Sequence, residues 1–119
     1  MERDIRLPTA EYELNGKKYI LVANMNVLAE IQEANNGDLL DVFSGKHILR
    51  SGLMIGAAML NEAAAIAGDS DRFTPQSLGR MIKPSESTAF AKMAIDLVLR
   101  ALSNEEETSE TETETDSKN

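Results

Sequence analysis

The sequence predicts a mainly α protein: an N-terminal β-hairpin packed on a small bundle of four to five helices, followed by a disordered acidic tail. Three observations carry that prediction. Residues 11 to 22, EYELNGKKYILV, place apolar side chains on either side of a central Asn-Gly. Residues 46 to 67 repeat apolar and small side chains at three- and four-residue spacing. The last 17 residues, SNEEETSETETETDSKN, contain no aliphatic or aromatic side chain and have nothing with which to build a core.

Composition divides the chain into a helical domain over 1–102 and a tail over 103–119. The tail contributes −6 of the formal −8, so the domain itself is close to neutral. A run of Glu interleaved with Thr and Ser repels itself and buries too little to offset the entropy of ordering. The domain has only three Phe, two Tyr and no Trp. Its many Ala residues favour close helix packing over a thick sheet sandwich. With no cysteine, the chain has no disulfide, thiolate nucleophile or Cys-ligated metal, as suits a reducing compartment. The opening MERDIRLPTA is charged where a secretory leader is apolar. The run SGLMIGAAMLNEAAAIAG is broken by Glu62 and falls short of the about 20 apolar residues of a membrane helix. The sequence therefore calls for no membrane.

In order along the chain, Tyr12 and Leu14 alternate with Glu11 and Glu13, and Asn15-Gly16 supplies the two positive-φ positions of a type I′ turn. Tyr19 and Leu21, or Ile20 and Val22, form the inward face of the returning strand. A two-stranded ribbon is marginal alone and needs helices or a neighbouring copy's strands to lie on. Asn24 or Asn26 caps a first helix to Asn35, with Met25, Leu28 and Ile31 as its apolar stripe. Asn36-Gly37 closes it, and Asp38 caps a short segment, LLDVF, ended by Ser44-Gly45. The long helix from Lys46 to Ala67 carries Gly52 and Gly56 on one side, which predicts close approach of a second helix. Gly68-Asp69-Ser70-Asp71 breaks it. Thr74-Pro75 starts a short helix with Leu78, Met81 and Ile82 buried, ending before Pro84. Ser85 or Ser87 begins the last helix, with a face of Phe90, Met93 or Ala94, Leu97 and Ala101. Ile95, Val98 and Leu99 widen that face beyond one intramolecular contact.

No constellation of catalytic residues stands out, and the chain is expected not to be an enzyme and to use no cofactor or metal. His47 is the only histidine, without Cys and without nearby acids at ligand spacing. Asp69 and Asp71 lack the further oxygen ligands of a calcium loop and read as a solvated turn. Asp96, with Lys92 and Arg100 four residues to either side, reads as a surface ion pair. Ser44-Gly45-Lys46 lacks the glycines of a phosphate loop. Basic residues are scattered and the tail repels phosphate, so nucleic acid is not an expected partner. Lys17-Lys18 at the hairpin tip is assigned to balancing Glu11 or Glu13 across the ribbon.

The string LNGKKYILVANMNVLAEIQEANNGDLLDVF resembles the N-terminal signature of the tail assembly chaperones of long-tailed bacteriophages and gene transfer agents. The matching positions are Gly16 and Lys17 at the turn, Tyr19 and Leu21 on the strand, Asn26 and Leu28 at the helix start, Glu30 or Glu33 within it, and Gly37, Leu39 and Leu40 beyond. FTPQSLGRMI is similar to the family's threonine-capped short helix through Phe73, Thr74, Leu78 and Ile82. The chain departs from the pattern at Val27, where a smaller residue is usual, and has no aromatic before the asparagine.

The resemblance implies a mainly helical, self-associating protein of the bacterial host cytoplasm. Such a protein binds the tape-measure protein, keeps it soluble for assembly of the tail tube around it, and leaves before the particle is complete. The tail tube protein is a second candidate partner. On this reading the partner-binding surface comprises Leu49, Leu53, Gly56 and Leu60 of the long helix with Val98 of the last. The alternative function is a small structural tail-completion or head-tail joining protein. A carboxylate-based hydrolase or metal enzyme is the least supported reading.

Overall fold

A computed structural model describes residues 7–114, with side chains described through Ser103. Strands β1 (Thr9–Leu14) and β2 (Lys17–Val22) form an antiparallel hairpin. Helix α1 (Met25–Ala34) follows, then a 3₁₀ turn at Leu40–Phe43, the central helix α2 (Ile48–Ile66), the short α3 (Pro75–Gly79), a 3₁₀ turn at Pro84–Glu86, and α4 (Ser87–Glu114). The mainly helical domain with an N-terminal hairpin is therefore the observed architecture. The trace of α4 passes the boundary expected after Leu102. In place of the disorder expected over 103–119, the described backbone is helical through Glu114, and 115–119 lie outside the described residues.

Local chemistry sets each boundary. Asn15 and Gly16 have φ of 53° and 80°, both positive as a two-residue type I′ connection requires. The register pairs Leu14 with Lys17, Tyr12 with Tyr19 and Ala10 with Leu21 on the inner face. Glu13 opposite Lys18 and Glu11 opposite Ile20 lie on the outer face. Asn24, not Asn26, caps α1: its Oδ1 accepts from the Val27 N–H at 3.1 Å. Asn36 adopts φ 57° after α1, and the Gly37 N–H donates to the Gln32 carbonyl at 2.8 Å, closing the helix in a Schellman arrangement. Gly68 repeats this after α2, with the Asp69 N–H donating to the Ala64 carbonyl at 2.8 Å. Thr74 and Ser77 make a reciprocal capping box at α3, with the Ser77 N–H donating to Thr74 Oγ1 at 3.0 Å and the Thr74 N–H to Ser77 Oγ at 2.9 Å.

Helix α2 is the hub of the domain: β2, α1, α3 and α4 all pack on it. The fully enclosed side chains Leu21, Val27, Ile31, Ile55, Met59, Leu60, Leu78, Leu97 and Val98 form one continuous core. Gly52 and Gly56 permit the approach of α4. A Cβ built on Gly52 would lie 2.5 Å from Ala91 Cβ and 2.7 Å from Ala91 Cα, and one on Gly56 would strike the Phe90 ring. Two aromatic contacts fasten the ends: Tyr12 meets Phe90 at 5.0 Å between ring centroids, and Tyr19 meets Phe73 edge-on at 5.8 Å.

The buried stripes differ from expectation at two points. On α1 the buried residues are Val27 and Ile31, while Met25 is 74% exposed. With the cap at Asn24, Met25 is the first residue of the helix and points away from α2. On the third helix Leu78 and Ile82 are buried and Met81 is partly exposed, because the chain turns toward Pro84 after Gly79. On α4 the open choice between Met93 and Ala94 resolves to Ala94, which fits where α4 lies close to α2, with Met93 only partly buried.

Candidate functional site

The five positions expected to meet a partner separate into two groups. Gly56, Leu60 and Val98 lie in the core, with Leu60 and Val98 fully enclosed, so they are not available on the surface of this fold. The physical reason is that the wide apolar faces of α2 and α4 are consumed by each other and by the hairpin and α3. Leu49 remains 51% exposed, and Leu53 is partly buried beside it.

Leu49 and Leu53 line a groove of about 230 Å³ with Ile82, Pro84, Phe90 and Ala91. Helix α2 supplies one wall, the first turns of α4 the opposite wall, and the α3–α4 connection the end. Gly79 also lines it, and an added Cβ there would touch Leu53 Cδ1 at 3.4 Å. The lining is almost wholly apolar. Its volume is below the about 300–1,000 Å³ usual for metabolite sites, so it fits one or two side chains of a larger partner better than a free small molecule. Other large apolar side chains on the surface of the described residues are Ile20, Met25, Leu40, Ile66, Met81, Leu99 and Leu102.

Polar side chains brace the hairpin and the loop after α2. Lys17 at the hairpin tip forms ion pairs with Asp69 and with Asp71, the latter at 2.9 Å. Tyr19 Oη donates to the same Asp71 oxygen at 2.9 Å. The hydrogen bonds from Lys17 hold the Asp69 and Asp71 carboxyls below the usual carboxylate range, and those carboxylates in turn hold the Lys17 ammonium above the usual lysine value. Burial, then the bond to Asp71, pushes the Tyr19 phenol up. Burial, with Glu86 nearby, does the same to Tyr12. The loop of two aspartates is thus a docking point for the hairpin. Lys17 does not balance Glu11 or Glu13: it faces inward opposite Leu14, while Lys18 is the residue opposite Glu13.

Two more braces escaped sequence reasoning. Asn61 Nδ2 donates to the Phe73 carbonyl at 2.9 Å and to Glu30 Oε2 at 2.8 Å, and its Oδ1 accepts from the Phe73 N–H at 2.6 Å. One side chain therefore ties α2 to α1 and to the strand-like entry of α3. Glu62 accepts from Asn24 Nδ2 at 2.7 Å and Asn26 Nδ2 at 3.2 Å, fixing the start of α1. The available signal was the polar pair Asn61-Glu62 within an otherwise apolar run. The Asp96–Arg100 pair forms as expected, with Nε donating to Oδ2 at 2.9 Å.

His47 occupies the position before α2, and its side chain makes no capping hydrogen bond. Among the described residues no cluster of three or more His, Cys, Asp or Glu side chains has metal-binding geometry, and no helix is long and apolar enough to cross a membrane. No protein-family model, curated protein or solved structure matches this chain.

Proposed function

We propose that this chain is a non-catalytic binding protein, a phage tail assembly chaperone that holds the tape-measure protein soluble in the host cytoplasm until the tail tube forms around it. The observation that carries the reading is the apolar groove beside the half-exposed Leu49, open at the surface and walled by three helical segments. A groove of this kind suits an apolar anchor on the face of a client helix. Weak individual contacts gain strength when many copies line one long client, through effective concentration. The order of elements, with a Gly-Lys hairpin, an Asn-capped helix and a Thr-capped short helix, supports the same reading.

Co-expression with the tape-measure protein of the same phage tests it. The soluble yield of that client is expected to rise, and to fall back when Leu49→Asp and Leu53→Asp are introduced together. Leu40→Asp, on an exposed side chain outside the groove, is expected to retain the effect. No gain in client solubility with the authentic pair would refute the chaperone reading. Retention of this chain in stoichiometric amounts in purified particles would favour a structural tail component instead.

A further inference from the structure

A second surface, remote from the apolar groove in sequence and independent of the chaperone reading, lies along β2. The two-residue turn makes Leu14 and Lys17 a hydrogen-bonded pair, and the alternation of antiparallel ladders then makes Tyr12–Tyr19 and Ala10–Leu21 hydrogen-bonded as well. The N–H and C=O groups of Lys18, Ile20 and Val22 consequently point away from β1. No third strand pairs with them among the described residues, and none of them donates to or accepts from a loop or side chain there.

A groove of about 410 Å³ runs along this edge between β2 and the end of α2. Both inner-face and outer-face residues of β2 line it, including Tyr19, Ile20 and Val22, so it follows the strand's edge and not one of its faces. Its far wall is made of the small Ala63 and Ala67 with Ile66. Ile20 and Ile66 are 53% and 68% exposed beside it. An unprotected strand edge flanked by two exposed isoleucines is a site for strand addition.

We infer that β2 pairs antiparallel with β2 of a second copy of this chain about a two-fold axis at Ile20, giving a continuous four-stranded sheet. The order of residues selects this occupant and this register. Centring on Ile20 sets it against its own symmetry mate and sets each Lys18 against the partner's Val22. All three outward-pointing residues then exchange their backbone bonds. Each Lys18 keeps Glu13 as its neighbour on the other side, and the two Glu11 residues are separated by both isoleucines. A slip of two residues toward the turn at each copy brings Lys18 face to face with Lys18, so charge rejects that register. Two-fold pairing also brings the exposed Ile20 and Ile66 of each copy toward the shared edge.

Sedimentation or light scattering of the full chain over its soluble concentration range is expected to show a monomer–dimer equilibrium. Ile20→Lys distinguishes the mode, because the new lysine faces Glu11 within its own hairpin, where it is tolerated, but faces its own mate across the axis. The variant is expected to keep the parent's circular dichroism and to weaken the dimer by about tenfold or more. Mixing Ile20→Lys with Ile20→Glu is expected to restore association between unlike chains. In the absence of any native cysteine, Ile20→Cys is expected to oxidise to a covalent dimer, since paired residues lie about 5.5 Å apart at Cα, within disulfide reach. Glu11→Cys, one strand further out, is expected not to. A strictly monomeric parent, an Ile20→Lys dimer as tight as the parent's, or equal cross-linking at positions 11 and 20 would each overturn the inference.

Discussion

Gly52→Ala puts the approach of α2 to α4 to a quantitative test. The added Cβ would stand 2.5 Å from Ala91 Cβ and 2.7 Å from Ala91 Cα. Carbon atoms rest at about 3.5–4.0 Å, so about 1 Å or more of separation is required. Neither obstacle has a rotatable bond with which to move aside: one is the main chain of α4 and the other is fixed to it. The helices themselves must part. Overpacking a filled core costs about 1–3 kcal/mol, and a clash with backbone belongs in the upper part of that range. Against it stands the about 1 kcal/mol that Ala returns over Gly in a helix interior. The net expectation is destabilisation by about 1–2 kcal/mol, or about 0.5–1 M in urea midpoint for a domain of this size, with the slope unchanged. Gly79→Ala is the control, since its Cβ would meet only the mobile Leu53 Cδ1, at 3.4 Å. A Gly52→Ala protein as stable as the parent, or more stable by the propensity term alone, would refute the close-packed α2–α4 contact.

Three further outcomes are expected. Asn61→Ala leaves the Phe73 N–H and carbonyl without their side-chain partner and is expected to cost about 1–3 kcal/mol in urea unfolding; a loss near zero would show that the brace contributes nothing. Asn24→Ala removes the α1 cap and a Glu62 partner, and a loss of about 1 kcal/mol with reduced helicity is expected by circular dichroism. The third concerns acid. Asp69 and Asp71 have depressed values in the fold, so their contribution is complete above the ordinary carboxylate range and disappears as pH falls through those depressed values. Lys17, raised in the fold, keeps its contribution below the ordinary lysine range and loses it only at more alkaline pH. The difference in urea midpoint between the parent and Lys17→Met is therefore expected to shrink as pH drops below about 4, and a difference constant with pH would contradict the ion-paired tip.

What the sequence made legible is what neighbours in the chain determine. Asn15-Gly16, Asn36-Gly37, Gly68 and Thr74-Pro75 mark turns and caps through their own backbone preferences, and each appears where expected. Gly52 and Gly56 announced a close helix, though not which one. Decisions taken between distant segments were not legible. Leu60 and Val98 have the same character as Leu49, and only the seating of the hairpin and α3 determines which of them meets solvent. Lys17 is adjacent to Lys18 yet is separated by 52 and 54 residues from the two aspartates it binds, so no local pattern paired them. Asn61 looked like an interruption in an apolar run, whereas its amide matches both backbone groups of Phe73.

The interlocked Gly52–Ala91 contact has a mechanical consequence for the groove above it. Because only the Ala91 methyl group stands between the α2 main chain at Gly52 and the α4 main chain, with no rotatable side chain to move aside, the walls supplied by α2 and α4 form a stiff pair that resists spreading to admit a bulkier guest. Any widening must come from the segment bearing Ile82 and Pro84, tethered at its far end by Asn61. The groove thus selects by size along one direction and yields along the other.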